Sequence, residues 1–288
     1  MRFVSFAQDG RAALGAHLPD GVVDLADVNA DLPTRLDDLL GREGCALRDV
    51  WRAAAGSAAG RRSLDDLDLL TPISAPGKVL CLGLNYTDHA AEGGFDKPDY
   101  PVLFMRSRTS LLAHGKPMIR PNCSERLDYE AELAVIIGST ARHLAPSNAL
   151  ECVAGYAVFN DGSVRDYQRK THQWTMGKNF DATGGFGPDF VSADEVPPGA
   201  AGLRIQSRLN GEVMQDANTS DMIFSVVETL CYLTEVMTLE PGDVIAMGTP
   251  AGVGHARRPP VWMKAGDVCE IEIEGIGLLV NPIENEVG

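Results

Sequence analysis

The stretch LDYEAELAVIIG, residues 127–138, carries two opposed signals. Leu133 to Ile137 is an unbroken apolar run, which predicts a short strand buried on both faces. Side chains alternate along a strand, so Glu130, Glu132, Ala134 and Ile136 share one face. Two carboxylates side by side in a low-dielectric setting repel, and one must take up a proton unless a cation compensates. Oxygen-only donors select hard ions, so the pair predicts Mg²⁺ or Mn²⁺ rather than zinc. By spacing alone, the same pair is also compatible with an exposed strand edge carrying solvated charge.

Neighbouring segments supply partners for such a cluster. Asp161 ends the apolar strand GYAVFN (155–160) and precedes Gly162, where a side chain can turn into a cleft. Three carboxylates would leave room on an octahedral ion for water and substrate. His89 and Glu92 are three apart in GLNYTDHAAE (83–92) and share a face on a helical turn. A carboxylate beside an imidazole makes a general base, and the following Gly93-Gly94 suits a lid that moves. Lys178 lies in WTMGKNFD (174–181), where it could hold a substrate carboxylate or an enolate oxygen. GDVIAMGTPAGVG (242–254) is a glycine-rich turn after a strand, but neither a Walker loop nor a dinucleotide turn. Thr249 and the N–H groups near it could hold a carboxylate, or the turn could be purely structural.

The remainder bounds the class. The chain has 288 residues, 44% of them hydrophobic, enough for a large domain plus a small one. TPISAPG (71–77) reads as a boundary, giving a small N-terminal α/β module at 1–71 and a main domain at 72–288. Turns at Asp9-Gly10 and Asp20-Gly21 separate short N-terminal strands, and Asn210-Gly211 signals a later hairpin. One clear helix is predicted from about Ser220 to Met237, capped by Thr219 or Ser220. Strands outnumber helices without alternating with them, which favours an α+β fold with a mixed sheet rolled into a barrel-like core. A formal net charge of −15 argues against nucleic acid and anionic membranes as partners. No apolar run approaches the roughly 18 residues of a membrane span, and the N-terminus lacks a secretory pattern. The cysteines, at 45, 81, 123, 152, 231 and 269, form no C-x-x-C pair. Reduced, buried thiols in a cytoplasmic protein are expected.

Taken together, GLNYTDHAAE, PVLFMR (101–106), LDYEAELAVIIG, GYAVFNDGSVRDYQ (155–168), GKNFD, RLNGEVMQDANTSDMIFS (208–225), LEPGDVIAMGTPAGVG (239–254) and GDVCEIEIEGIGLLVN (266–281) resemble the fumarylacetoacetate hydrolase family of acylpyruvate hydrolases and oxaloacetate decarboxylases. The resemblance implies that Glu130, Glu132 and Asp161 hold the metal and that His89 and Glu92 activate water from a closing lid. It places Lys178, Thr249 and Gln168 against substrate, and implies the family's barrel-like sheet and a homodimer. Arg106 departs from the family's usual lysine; its planar fork could grip a substrate carboxylate in two places.

The expected activity is therefore metal-dependent hydrolysis of a 2,4-dioxo acid to pyruvate and a carboxylic acid. Oxaloacetate decarboxylation, or isomerisation or tautomerisation of a 2-oxo acid, is an alternative on the same residues. Outside catalysis, the rivals are a binding protein on an inherited enzyme fold and a metal site that serves only stability.

Overall fold

A computed structural model describes residues 1–41, 46–94 and 96–288, so Cys45 lies outside the described residues. The strands that organise it are β1 (Arg2–Gln8), β2 (Arg11–Leu18), β3 (Gly21–Asp24), β4 (Val79–Gly83), β5 (Val102–Met105), β6 (Ala131–Ile137), β7 (Val153–Asp161) and β8 (Asp189–Ser192). They continue with β9 (Arg204–Leu209), β10 (Glu212–Asn218), β11 (Val244–Ala246), β12 (Val268–Ile273) and β13 (Gly277–Asn285). The main path of the large sheet runs β3-β2-β1-β8-β7-β6-β11-β4-β5, and along it the pairing is antiparallel except where β11 meets β4. A second sheet runs β10-β9-β12-β13 and ends on the parallel strand Met118–Arg120. The fold is the expected mixed α+β with few helices; no pairing among the described residues closes the large sheet into a ring.

The alternation expected for β6 holds. Leu133, Val135 and Ile137 face one apolar core, shared with Ile205, Ile271 and Leu279 of the second sheet. Ala134 and Ile136 face another, shared with Ala157, Phe159 and Phe190. That second core is closed by the N-terminal helices Leu36–Leu40 and Leu47–Gly56, through Leu36, Leu39, Val50 and Ala54. The first residues also extend the large sheet, because β1 pairs with β8 through Arg2, Phe3 and Val4. A strand covered on both sides must be apolar throughout, which is why the carboxylates sit only at its entrance.

Two expectations shift. The late helix begins at Val226, not near Ser220, with Ser225 as cap and Glu228 closing a capping box. The preceding residues are drawn away by Asn85: Ile223 N–H donates to the Asn85 carbonyl at 2.7 Å, and Phe224 N–H to Asn85 Oδ1 at 2.7 Å. Tertiary hydrogen bonds there override helical spacing. Among the thiols, Cys81, Cys152 and Cys269 are free and buried, but Cys123 is exposed and Cys231 only half-buried. The Asn210-Gly211 hairpin forms as read, joining β9 to β10 with both turn residues at positive φ. No helix among the described residues is long and apolar enough to cross a membrane.

Asn85 also donates Nδ2 to the carbonyls of Phe224 and Met247, so one buried amide joins three segments. Asn85→Ala would leave these backbone groups unpaired, and the expected loss is about 3 kcal/mol of unfolding free energy, read from urea titration.

Candidate active site

The register between β6 and β7 builds the acidic cluster. Ala131 faces Asn160, so Glu130 lies opposite Asp161, and the Asp161 N–H donates to the Glu130 carbonyl at 2.9 Å. Glu132 lies two residues along on the same face. All three are buried, and carboxylate oxygens from each lie within 4.8 Å of one another. The exposed-edge alternative left open by spacing therefore does not apply.

Three cations are packed against these acids. Lys178 ends the short helix Thr175–Lys178 and donates to Asp161 Oδ2 at 2.5 Å and to Glu130 Oε2. Burial works against its charge, but Asp161 and Glu130 outweigh burial and raise its pKa. Arg165 sits in the turn Arg165–Gln168; its Nη2 lies 2.6 Å from Glu130 Oε1 and its Nε donates to Asp128 Oδ2 at 2.8 Å. Burial pushes the Glu130 carboxyl up, yet Arg165 and Lys178 bring it well below the usual range. Glu132 has no ion pair among the described residues and accepts only the Gly248 N–H, at 2.9 Å. Burial, and then the charges of Asp161 and Glu130, hold its carboxyl well above the usual range. An oxygen-only donor set with one uncompensated member fits a hard divalent cation.

Arg106 is the correction. It was expected to grip substrate, but it lies behind Asp161, outside the cavity lining. It pairs with Asp161 and donates to the Gly162 carbonyl, Ser110 Oγ and Thr183 Oγ1 at 3.1, 3.1 and 2.9 Å. With four of its five N–H donors spent inside the protein, its fork orients a carboxylate of the cluster and is not presented to a ligand in the cavity.

Opposite the acids stands the segment expected to act as a lid. β4 ends at Gly83, and Leu84 takes the left-handed conformation (φ 56°), turning the chain into the helix Thr87–Glu92. Gly83 has no substitute, because a Cβ there would meet the Trp174 ring at 2.1 Å. His89 Nδ1 lies 2.9 Å from Glu92 Oε1, and Glu92 Oε2 accepts the Gly252 N–H at 3.0 Å. His89, Glu92, Glu130, Glu132 and Lys178 line one cavity, together with Gln168 and Thr249. Gln168 Oε1 accepts from Arg165 Nη1 at 3.0 Å, and Thr249 Oγ1 accepts from Gln215 Nε2 at 2.8 Å. The Gln168 amide N–H and the Thr249 O–H thus remain as donors toward the cavity.

The family model for the C-terminal domain of fumarylacetoacetate hydrolase matches residues 78–284. The chain belongs to the fumarylacetoacetate hydrolase family. Among curated relatives of this family member, the mitochondrial oxaloacetate tautomerase of Xenopus laevis is 36% identical, over 98% of this chain and 90% of its own. Among solved structures, a fumarylacetoacetate hydrolase from Exiguobacterium antarcticum superposes with a TM-score of 0.85 at 38% identity, covering 99% of this chain and 100% of that one. The maleylpyruvate hydrolase from Sphingobium sp. SYK-6 superposes at 0.82 and 29% identity, with coverage of 99% and 100%.

In this family member, several residues in or behind the cavity carry no signal that sequence reading used. Asp128 is fully buried, and its carboxylate accepts from Tyr129, Gly254 and His255 N–H groups besides Arg165. A signal existed: 128, 130 and 132 share one period-two face. Arg169 and His255 also line the cavity, brought there from separate loops with no motif to mark them. Asp128→Ala would remove one of the two carboxylates that hold Arg165 and orphan three N–H groups. The expected cost is about 3–5 kcal/mol in unfolding free energy, measured by guanidinium titration.

Proposed function

We propose that this family member is a divalent-cation-dependent enzyme that moves a proton between carbon and oxygen in a small 2-oxo acid, interconverting its enol and keto forms, with oxaloacetate as the leading substrate. The observation that carries this reading is a hydrogen-bonded His89–Glu92 dyad lining the same cavity as Glu130, Glu132 and Lys178. The tautomerases among the relatives, matched over nearly their whole length, support the choice of substrate.

Glu130, Glu132 and Asp161 would hold the cation, Mg²⁺ or Mn²⁺, which when bound supplies Lewis acidity to the 1-carboxylate and 2-oxo oxygens. Glu92 fixes the orientation of the His89 ring, leaving its second nitrogen for the substrate. His89 takes the C3 proton; the electrons of that bond form C2=C3, and the C2 oxygen takes up a proton. The reverse sequence regenerates the ketone. Lys178 offers its one remaining N–H where negative charge grows on the C2 oxygen. Gln168 and Thr249 donate to the carboxylate end, and the lid limits entry of water.

A second reading is hydrolysis of an acylpyruvate, supported by the similarity to a maleylpyruvate hydrolase and by a dyad equally able to deprotonate water. The two part company in their products. Tautomerisation makes the enol ultraviolet absorbance of oxaloacetate decay faster without releasing pyruvate, whereas hydrolysis releases pyruvate from a 2,4-dioxo acid. His89→Gln is expected to lower the turnover number by about 10²–10⁴-fold while Mn²⁺ binding by calorimetry persists. Glu132→Ala should lose both, and unchanged Mn²⁺ affinity in that variant would refute the ligand set.

We also propose a homodimer. β5 is an edge strand, and its Leu103 and Met105 are 43% and 50% exposed, beside Met176 at 64% and Tyr100 at 71%. Edge strands carrying exposed apolar side chains are normally covered. Light scattering should give twice the chain mass of 30.8 kDa, and Leu103→Lys with Met105→Lys should give the single chain.

A further inference from the structure

One cation at the cavity has no internal task. Arg169 follows the turn Arg165–Gln168, its N–H donating to the Arg165 carbonyl at 3.2 Å. Its guanidinium has no carboxylate partner among the described residues. This is notable in a chain with 40 acidic residues against 25 lysines and arginines. Arg106 and Arg165 are consumed by Asp161, Asp128 and Glu130, whereas Arg169 is free at the mouth.

Its surroundings hold charges of both signs, but the cluster carboxylates are already engaged by Lys178 and Arg165. Arg169 lines the main cavity with His89 and Lys178, and an adjoining recess with Glu92, His255 and Arg258. His255 is held in place: its ring stacks on Trp262 at 6.0 Å, and its backbone N–H donates to Asp128 Oδ2 at 2.9 Å. Asp128 also anchors Arg165, so both walls of this corner share one buried carboxylate. Burial and the Arg165 charge both lower the Arg169 pKa, and burial, Arg169 and Arg165 lower that of His255. With the His255 ring favoured neutral and Arg165 already paired, the uncompensated charge of this corner is that of Arg169, which favours an anion beside it.

We propose that Arg169, with His255 behind it, is the specificity-determining residue for a second carboxylate on the substrate, making the enzyme selective for 2-oxo dicarboxylic acids over their monocarboxylic counterparts. This rests on the tautomerase reading for its activity assay and not for its binding assay. The carboxylate at C1 is taken at the acidic cluster's cation; the carboxylate at C4 of a four-carbon diacid meets Arg169 on the lid side. A planar guanidinium offers that carboxylate a paired set of N–H donors, which an ester or a methyl ketone cannot accept as an anion does.

The probe is oxaloacetate against its 4-methyl ester, which keeps the 2-oxo acid and removes the distal charge. Arg169 is exposed, so Arg169→Gln is expected to fold. Wild type should prefer the diacid in kcat/KM, and Arg169→Gln should reduce that preference by about 30-fold, the usual scale for one charge-assisted contact. Arg169→Lys should restore part of it. A preference that survives Arg169→Gln overturns the proposal, as does a wild type with none. The same ratio is measured as binding, by calorimetry on the Mn²⁺-loaded protein in the His89→Gln background. If wild type turns over neither compound while the binding ratio still depends on Arg169, the tautomerase reading falls and the second-carboxylate site stands. If turnover is rapid and the ratio ignores Arg169, the reverse holds.

Discussion

Repulsion among buried carboxylates governs this molecule. Glu130, Glu132 and Asp161 project from two hydrogen-bonded strands into one space, and Asp128 lies behind them. Such a cluster survives folding only if cations are delivered to it from elsewhere in the chain. Lys178, Arg165 and Arg106 come from three different segments, and each is positioned by that demand. Glu132 is the member left over: it has no ion pair among the described residues, and burial with its two acidic neighbours raises its pKa.

The glycine-rich turn after β11 links this electrostatic centre to the lid. Gly248 takes the left-handed conformation (φ 88°), directs its N–H to Glu132, and leaves no space for a Cβ beside Asn85. Four residues later, Gly252 donates its N–H to Glu92, the partner of His89. A turn that looked like an anion cradle thus spends its N–H groups on the protein's own carboxylates. Its role is to hold a cluster carboxylate and a lid carboxylate at a set separation, so that the dyad meets the same cavity.

Much of the fold was legible because it follows from local periodicity. Apolar runs predicted β6 and β7, and the Asn210-Gly211 pair predicted the β9–β10 hairpin. The start of the late helix was not legible, since residues 222–224 obey Asn85, over a hundred residues away in sequence. Arg106 was misjudged for a related reason. Its fork was read correctly, but its partner is an interior carboxylate, and only packing decides which anion a guanidinium meets.

What the sequence alone determined is the chemistry of the strand, alternating carboxylates on an apolar background, and a histidine one helical step from a glutamate. These are short-range facts, set by a repeat of two in strands and of three to four in helices. The tertiary structure decided which charges are neutralised and which are left to act. Lys178 and Arg106 were absorbed by the acids while Arg169 was not, and nothing in their local sequence distinguishes them. The difference arises because Coulomb energy depends on distance and burial in three dimensions, which chain position does not encode.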